Sequence, residues 1–423
     1  WIHQDIVGDT GFALFDVEDR LTERVLRHLC DTGRTPVVID PAIGPTPLNV
    51  LSVPPGVHTH TVVEGVLQAF KRAWFAEWGP RLEDLLRHSL IAFVEAKLTL
   101  GELTHFLSNQ AWRERVAEAS EDARVRSYFL DHLRNVPARE WRTWVESTRN
   151  KVAAFTDNPF IAPCLSSDDC LDLLEVMDSG KPLIINLSEK TLGDSGKLLG
   201  MLLVSRLFQA ALRRKPGARP FIIYADEFQN LASKSFVDLV TRSRKRGVGS
   251  VLAHQTTHQP PFDKNPEFLS AILGTTSVHA IMQVGREDAE RFAKEIFPTS
   301  GTEAKRRKKH WLWGDFGDPQ FYSVQEEREQ QMLELEHLRQ RELYLKIKDD
   351  SGTQIFVAQA YDLPEPSSTP EQAEACATAQ IQGAGCTVEG VSALQAARIV
   401  RFQPQRGRAR FPQAEARQEM PEE

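Results

Sequence analysis

Six short runs rich in Val, Ile and Phe punctuate the chain: "GFALFD" (11–16), "PVVID" (36–40), "PLIINL" (182–187), "PFIIYAD" (220–226), "GSVLAHQ" (249–255) and "SVHAIMQV" (277–284). Continuous apolar runs of this length predict buried parallel strands. Between two of them, residues 195–213 repeat at helical spacing, with Leu198, Leu199, Leu202, Leu203, Leu207 and Ala211 on one broad face. Strands alternating with such helices predict right-handed crossovers. The expected core is an α/β sheet, largely parallel and flanked by helices.

Residues 58–160 have a different pattern. Thr61 to Glu64 and Thr99 to Glu102 are spaced as capping boxes that start helices. Val63, Val66, Phe70 and Trp74 recur at helical spacing, as do Trp141, Trp144, Thr148, Val152 and Phe155. An all-helical insertion is expected at 58–165, between an N-terminal part of the sheet domain (1–57) and its continuation (166–300). Trp74, Trp78, Trp141 and Trp144 are expected in the core rather than as base-stacking platforms, since helical aromatic stripes usually pack inward. Residues 301–362 read as an extension: a basic loop "KRRKKHWLWG" (305–314), a charged helix at 323–342, and a hairpin of "LYLKIK" and "TQIFVAQA" around "DDSG". From 363 to 423 the composition shifts to Pro, Ser, Ala, Gln, Glu and Arg without apolar periodicity, and a disordered tail is expected.

Composition narrows the class. The chain has 423 residues, 41% hydrophobic, 26% charged, with a formal net charge of -7. That suits a soluble globular protein of two or three domains. The longest apolar stretch, "LLGMLLVSRLF" (198–208), is interrupted by Ser205 and Arg206 and falls short of the about 20 residues a membrane crossing needs. Trp1 opens the chain with neither Met nor a cleavable signal, so the sequence reads as a fragment. Five cysteines without CxxC spacing argue against a disulfide framework and a zinc site, and fit a reducing cytosol. His58 and His60 have no carboxylate or Cys partner nearby that would make them metal ligands.

Chemistry concentrates where "PFIIYAD" ends. Asp226 and Glu227 stand side by side at the expected carboxyl end of a strand, where ligands bind in parallel α/β sheets. The bland alternative is two carboxylates favouring the next helix N-terminus. The neighbouring strand ends in Gln255, and Arg242, Arg244, Lys245 and Arg246 lie between. Two acids, an amide and a guanidinium are what phosphoryl transfer requires: one acid for the magnesium shell, one to take a proton from water, an amide to sense the γ-phosphate, and a cation for transition-state charge. The loop GxxxxGK[ST] that cradles phosphates is absent. The nearest segment, "TLGDSGKLLG" (191–200), has Thr191 at the first position and Leu198 after Lys197.

The segments 182–212, "FIIYADEFQNLAS" (221–233), "TRSRKRGVGSVLAHQT" (241–256) and 272–297 together resemble the HerA/FtsK superfamily of ring ATPases, and specifically the TraG/TraD-type conjugative coupling proteins of type IV secretion systems. The resemblance covers about 10–360 and is most specific over 182–296. It implies a P-loop NTPase fold of RecA/HerA type, with the phosphate loop upstream of Trp1, in which "FDVEDRL" (15–21) keeps Asp16 and Asp19 of the family's turn, and "VVIDPAIGPTPLNVL" (37–51) leads into the helical domain. Asp226 then corresponds to the Walker B acid that binds Mg2+ through water, Glu227 to the water-activating base, Gln255 to the sensor, and Arg244 to an arginine finger reaching a neighbouring subunit. Gln283 stands where relatives often carry arginine. Arg242 and Arg246 read as solvated or DNA-facing. The family further implies ATP as cofactor and a homohexamer that passes DNA through its pore. Relaxosome or secretion-channel proteins are implied as partners, with a cytoplasmic location and tethering to the inner membrane left open. A net charge of -7 suits DNA only if cations concentrate locally, at 242–246 and 305–309. A non-hydrolysing docking module and a protein-directed ring ATPase remain alternatives, and the fragment alone is expected to be inactive.

Overall fold

The computed structural model describes residues 1–258, 262, 266–297 and 322–403. They form two compact units. The first gathers Trp1–Thr46, Glu64–Glu77 and Leu171–Cys386; the second gathers Pro47–Val63, Trp78–Cys170 and the chain from Thr387 onward. The helix Thr59–Ala73 is therefore divided between them, where the sequence placed all of 58–165 in one insertion.

The first unit holds a five-stranded sheet of β1 (Gly11–Asp16), β2 (Val37–Ile39), β3 (Leu183–Asn186), β4 (Phe221–Ala225) and β5 (Val248–Leu252), in the order β2-β3-β1-β4-β5. All four pairings are parallel. Central β1 is buried along its whole length, which explains its unbroken apolar run, since a strand covered on both faces has no polar side to alternate. Gly11 opens it because a side chain there would meet the Gly180 backbone at 2.7 Å. One face of the sheet buries Phe12, Leu14, Val38, Ile184 and Tyr224 against Val25, Leu26 and Leu29 of the helix Thr22–Thr32. Gly200, on the helix Asp194–Arg213, allows close approach to Leu187 and Leu231, whose side chains an added Cβ would meet at 2.7 and 2.4 Å.

"SVHAIMQV" does not join the parallel sheet. Its strand β6 (Val278–Ile281) pairs antiparallel with β7 (Glu342–Asp349), which forms the expected hairpin with β8 (Gly352–Gln359). Burial along β6 alternates, with Val278 exposed and Ile281 buried. One face packs on the helices Arg286–Ile296 and Val324–Glu336 through Ile281, Tyr344, Phe292 and Met332, as half-buried antiparallel strands do. The basic run 305–309 lies outside the described residues.

The second unit is helical. Phe106 sits edge-on to Phe93, Trp112 and Phe129 at its centre. The capping box Thr99–Glu102 forms as expected, whereas Thr61 lies inside a helix already under way at Thr59. The tryptophans are less buried than expected. Trp141 and Trp144 are half-exposed and carry Arg113 and Arg81 over their faces at 4.3 and 4.7 Å. Those faces are taken by the chain's own cations. Trp74, in the first unit, stacks on Phe70.

The stretch expected to be a disordered tail contains two helices, Pro370–Gly383 and Val388–Arg401. The first begins with a capping box, Thr369 to Gln372, and Pro370 at its first turn. It buries Ala373, Ala377 and Ile381 in the first unit's core. A stripe of two alanines and one isoleucine at i, i+4, i+8 carries little hydropathy for its length, so composition hid it, yet it suits close helix packing. In the second helix Arg398 is buried in an ion pair with Glu102 at 2.9 Å, and Trp112 donates its indole N–H to the Ile399 carbonyl at 2.8 Å. Residues 404–423 lie outside the described residues. Among the described residues, no helix is long and apolar enough to cross a membrane, and no group of three or more His, Cys, Asp or Glu could hold a metal ion by itself.

Candidate functional site

Parallel pairing aligns the strand ends. Phe15 of β1 is level with Ala225 of β4, which is level with Leu252 of β5. Asp16 and Asn186 are also level with each other. Asp226 therefore emerges one residue beyond β4, its amide bonded to the Phe15 carbonyl at 3.2 Å. On the other side, the Ala253 amide donates to the Ala225 carbonyl at 3.0 Å and the Phe228 amide to the Ala253 carbonyl at 3.1 Å. These bonds carry the ladder past the strands and hold the acid turn against the chain leading to Gln255.

Glu227 takes a left-handed conformation, φ 47 and ψ 48. For a residue with a Cβ this costs roughly 1–2 kcal/mol, and such strain clusters at functional turns. The turn swings the Glu227 side chain into a buried position, 7% exposed. There Gln255 donates its Nε2 to Oε1 at 2.6 Å, and the Gln229 amide donates to Oε2. The structure thus brings together Glu227 and Gln255, two of the residues singled out in the sequence. Gln229 was missed, although it stands two residues further along the same turn. Its own Oε1 is buried without a partner among the described residues, so the amide orientation is set by the carboxylate it serves.

Asp226 is half-exposed, and its carboxyl titrates above the ordinary range. Burial is the chief cause, followed by the negative charges of Glu227, Asp16 and Glu18. A carboxylate crowded by acids gains most from a nearby cation. Magnesium is ordinarily held by one or two carboxylates, waters and phosphates, and Asp226 with its acidic surroundings fits that pattern. Asp16 is fully buried and instead caps the helix Thr22–Thr32, accepting the Leu21 and Thr22 amides and the Thr22 hydroxyl, all at 2.8 Å. Asp19 shares the Asn186 amide with Asp40, each at 2.9 Å. That bridge of Asp19, Asn186 and Asp40 was also missed, since its members come from three separate segments.

Arg244 is not brought to this site. It is exposed in the turn Arg244–Arg246, which precedes β5, whereas Gln255 lies beyond that strand. Five strand residues at about 3.3 Å each set them roughly 17 Å apart. Among the described residues the Arg244 side chain makes no hydrogen bond or ion pair. Its neighbours have structural work: Arg242 pairs with Asp238 at 3.5 Å, and Arg246 donates to the Arg214 carbonyl at 2.7 Å. Arg214, fully buried, bonds Asp178 at 2.8 Å and the Arg246 and Gly247 carbonyls at 3.2 and 3.3 Å. That residue, unremarked in the sequence, ties down the turn that presents Arg244. His254 is half-buried between Phe228 and Phe262 at 5.4 and 5.6 Å, and desolvation pushes its imidazole toward the neutral form. Gln283 is exposed and donates to the Glu336 carbonyl at 2.9 Å.

The segment 191–200 is not a phosphate cradle. Gly196 and Lys197 lie inside the helix Asp194–Arg213, a Cβ at Gly196 would meet the Leu187 carbonyl at 2.8 Å, and Lys197 is engaged by Glu189 at 2.8 Å and Asp194 at 3.3 Å.

No protein-family model and no curated protein matches the sequence. Solved structures do match. The plasmid coupling protein TrwB in complex with the non-hydrolysable ATP analogue ADPNP superposes with a TM-score of 0.54 at 13% identity, covering 86% of this chain and 89% of that one. TrwB in complex with ADP and Mg2+ gives 0.52 at 14% identity, with 86% and 87% covered. VirB4 of Thermoanaerobacter pseudethanolicus gives 0.50 at 13% identity, with 85% and 84% covered. The chain has the fold of these proteins. The parallel sheet with flanking helices is thus the P-loop ATPase fold that the sequence led us to expect. Identities of 13–14% establish fold and leave function to the residues.

Proposed function

We propose that this chain is the ATPase core of a conjugative type IV secretion coupling protein, a homohexameric motor that hydrolyses ATP to move DNA. The observation that carries the reading is the Gln255–Glu227 bond of 2.6 Å at the ends of adjacent parallel strands, beside Asp226. Magnesium and ATP, when bound, supply the phosphoryl group and neutralise its charge. Asp226 would hold the metal through water. Glu227 accepts the proton of the attacking water, and Gln255 orients that carboxylate and senses the terminal phosphate. Arg244, exposed and far from its own subunit's acids, serves the site of a neighbour, where such a cation contributes about 10³ to 10⁵ in rate. The reading requires a phosphate loop supplied from outside residues 1–423. DNA passes through the ring pore, relaxosome or channel proteins deliver it, and the chain works in the cytoplasm.

The test is a protein extended upstream to include a GxxxxGK[ST] loop. ATP turnover that depends on oligomerisation and rises with added DNA supports the motor, and Glu227→Gln should retain ATP without turning it over. Turnover indifferent to DNA would point to a protein cargo. An extended protein that binds no nucleotide would leave the non-hydrolysing docking module, the reading favoured by the absence of that loop among these 423 residues.

A further inference from the structure

The helix Pro370–Gly383 is docked on the helix Thr22–Thr32 by a defined set of contacts. Ala373, Ala377 and Ile381 recur every four residues and meet Val25, Leu26 and Leu29. Polar bonds fix the approach: the Asp31 carboxylate accepts the Ser367 and Ser368 amides at 2.7 and 2.8 Å, and Arg27 donates to the Ser368 carbonyl at 2.6 Å. With alanines at the contact, two helices can approach toward the lower end of the about 8–10 Å range.

On the flank of this seam stand Cys30 and Cys376. Cys30 lies four residues beyond Leu26 and Cys376 three beyond Ala373, so each shares a face with its helix's packing stripe. Both are free and half-exposed, and Cys376 is near enough to Cys30 to oppose the ionisation of its thiol. A disulfide needs its β-carbons about 3.5–4.5 Å apart; the backbone sets that separation, and the close seam through Ala373 and Ala377 brings the two helix flanks together.

We propose that Cys30 and Cys376 form a reversible disulfide that staples the C-terminal helix Pro370–Gly383 to the N-terminal helix Thr22–Thr32. With oxidised glutathione as oxidant, one protein thiolate attacks a glutathione sulfur, forming a mixed disulfide and expelling one glutathione thiolate. The second protein thiol, after losing its proton, attacks the mixed disulfide at the protein sulfur and expels the other. Two protein thiols and one oxidised glutathione become one protein disulfide and two reduced glutathiones. Burial foremost, then the neighbouring Cys376 and Asp31, push the Cys30 thiol above its ordinary value. Less thiolate is present at neutral pH, so oxidation should be slow there and quicken as pH rises.

The test equilibrates the whole chain in glutathione buffers of increasing oxidation, quenches with acid, and counts thiols after denaturation. The five cysteine thiols of the chain should fall by two, with the loss of two hydrogens in mass and a cross-linked peptide containing Cys30 and Cys376. Backbone hydrogen exchange over 370–383 should slow by about tenfold or more, because opening the helix no longer frees it from its partner. Cys30→Ser and Cys376→Ser should each abolish both effects. A cross-link joining another pair, stable glutathione adducts on Cys30 or Cys376 in place of the cross-link, five free thiols under full oxidation, or unchanged exchange over 370–383 would each overturn the proposal.

Discussion

Arg398 provides a direct measure of what orders the chain beyond Thr387. Its Nε and Nη2 donate to the same Glu102 oxygen at 3.0 and 2.9 Å, and Nη2 also reaches the Ser166 carbonyl at 2.6 Å. The other Glu102 oxygen is occupied by the Thr99 amide at 2.7 Å and hydroxyl at 2.9 Å. Side-chain exposures of 6% and 0% place both charges out of water. Arg398→Met keeps an apolar side chain of comparable length but leaves the Glu102 carboxylate buried and short of its cation. Breaking a buried pair from one side costs about 3–5 kcal/mol. Glu102→Gln should cost less, about 1–2 kcal/mol, because Arg398 keeps Asp168 and the Ser166 carbonyl as acceptors. Asp168→Asn, at a carboxylate 51% exposed, should stay within about 1 kcal/mol. Urea unfolding followed by far-UV circular dichroism gives the ranking. Hydrogen exchange over 388–401 shows whether the loss is local to that helix. If Arg398→Met cost no more than Asp168→Asn, or left exchange over 388–401 unchanged, the buried pair would not be what holds the helix.

Three further outcomes are expected from the sheet and its loops. Asp288, 5% exposed, receives the Thr257 amide at 3.1 Å and the Thr257 hydroxyl; burial raises its carboxyl, but the Thr257 and Thr256 bonds outweigh that and hold it below the ordinary 3.8. A depressed carboxylate contributes stability above its unfolded pKa and loses it as pH falls through the folded one, so Asp288→Asn should destabilise by about 1.5–3 kcal/mol at neutral pH, a gap that closes below 3.8 in thermal melts across pH. Gly11→Ala places a Cβ 2.7 Å from the Gly180 backbone and should cost about 1–3 kcal/mol or more; Gly274→Ala, with nothing within 4 Å on the helix Pro266–Thr275, should be neutral or stabilise by up to about 1 kcal/mol, both read from denaturation midpoints. In the extended protein, Arg244→Ala should abolish turnover while sparing nucleotide binding, and mixing it with Glu227→Gln subunits should restore activity at the interfaces where an intact base meets an intact arginine. Full activity of Arg244→Ala alone would remove that residue from the mechanism.

Local periodicity was enough for the elements of the parallel sheet, because a strand covered on both faces can show only an apolar run, as β1 and β3 do. Asp226, Glu227 and Gln255 were also legible, since parallel strands deliver the residues after each run to the same end of the sheet. Partners drawn from distant segments were not. Gln229 has meaning only once Glu227 turns left-handed. The bridge through Asn186 joins Asp19 and Asp40 only when β3 comes to lie between β1 and β2. β6 shows the limit of run-reading: its apolar letters resemble those of the parallel strands, and only pairing with β7 assigned it to another sheet. The chain after Leu363 shows the same limit in polar sequence. Alanine is too small to mark a stripe by hydropathy, and Arg398 is too charged to look like core, until Ala373 finds the helix Thr22–Thr32 and Arg398 finds Glu102. Burial is a property of pairs of segments, so a single segment can announce its own shape but not the company that makes its polar or small residues part of an interior.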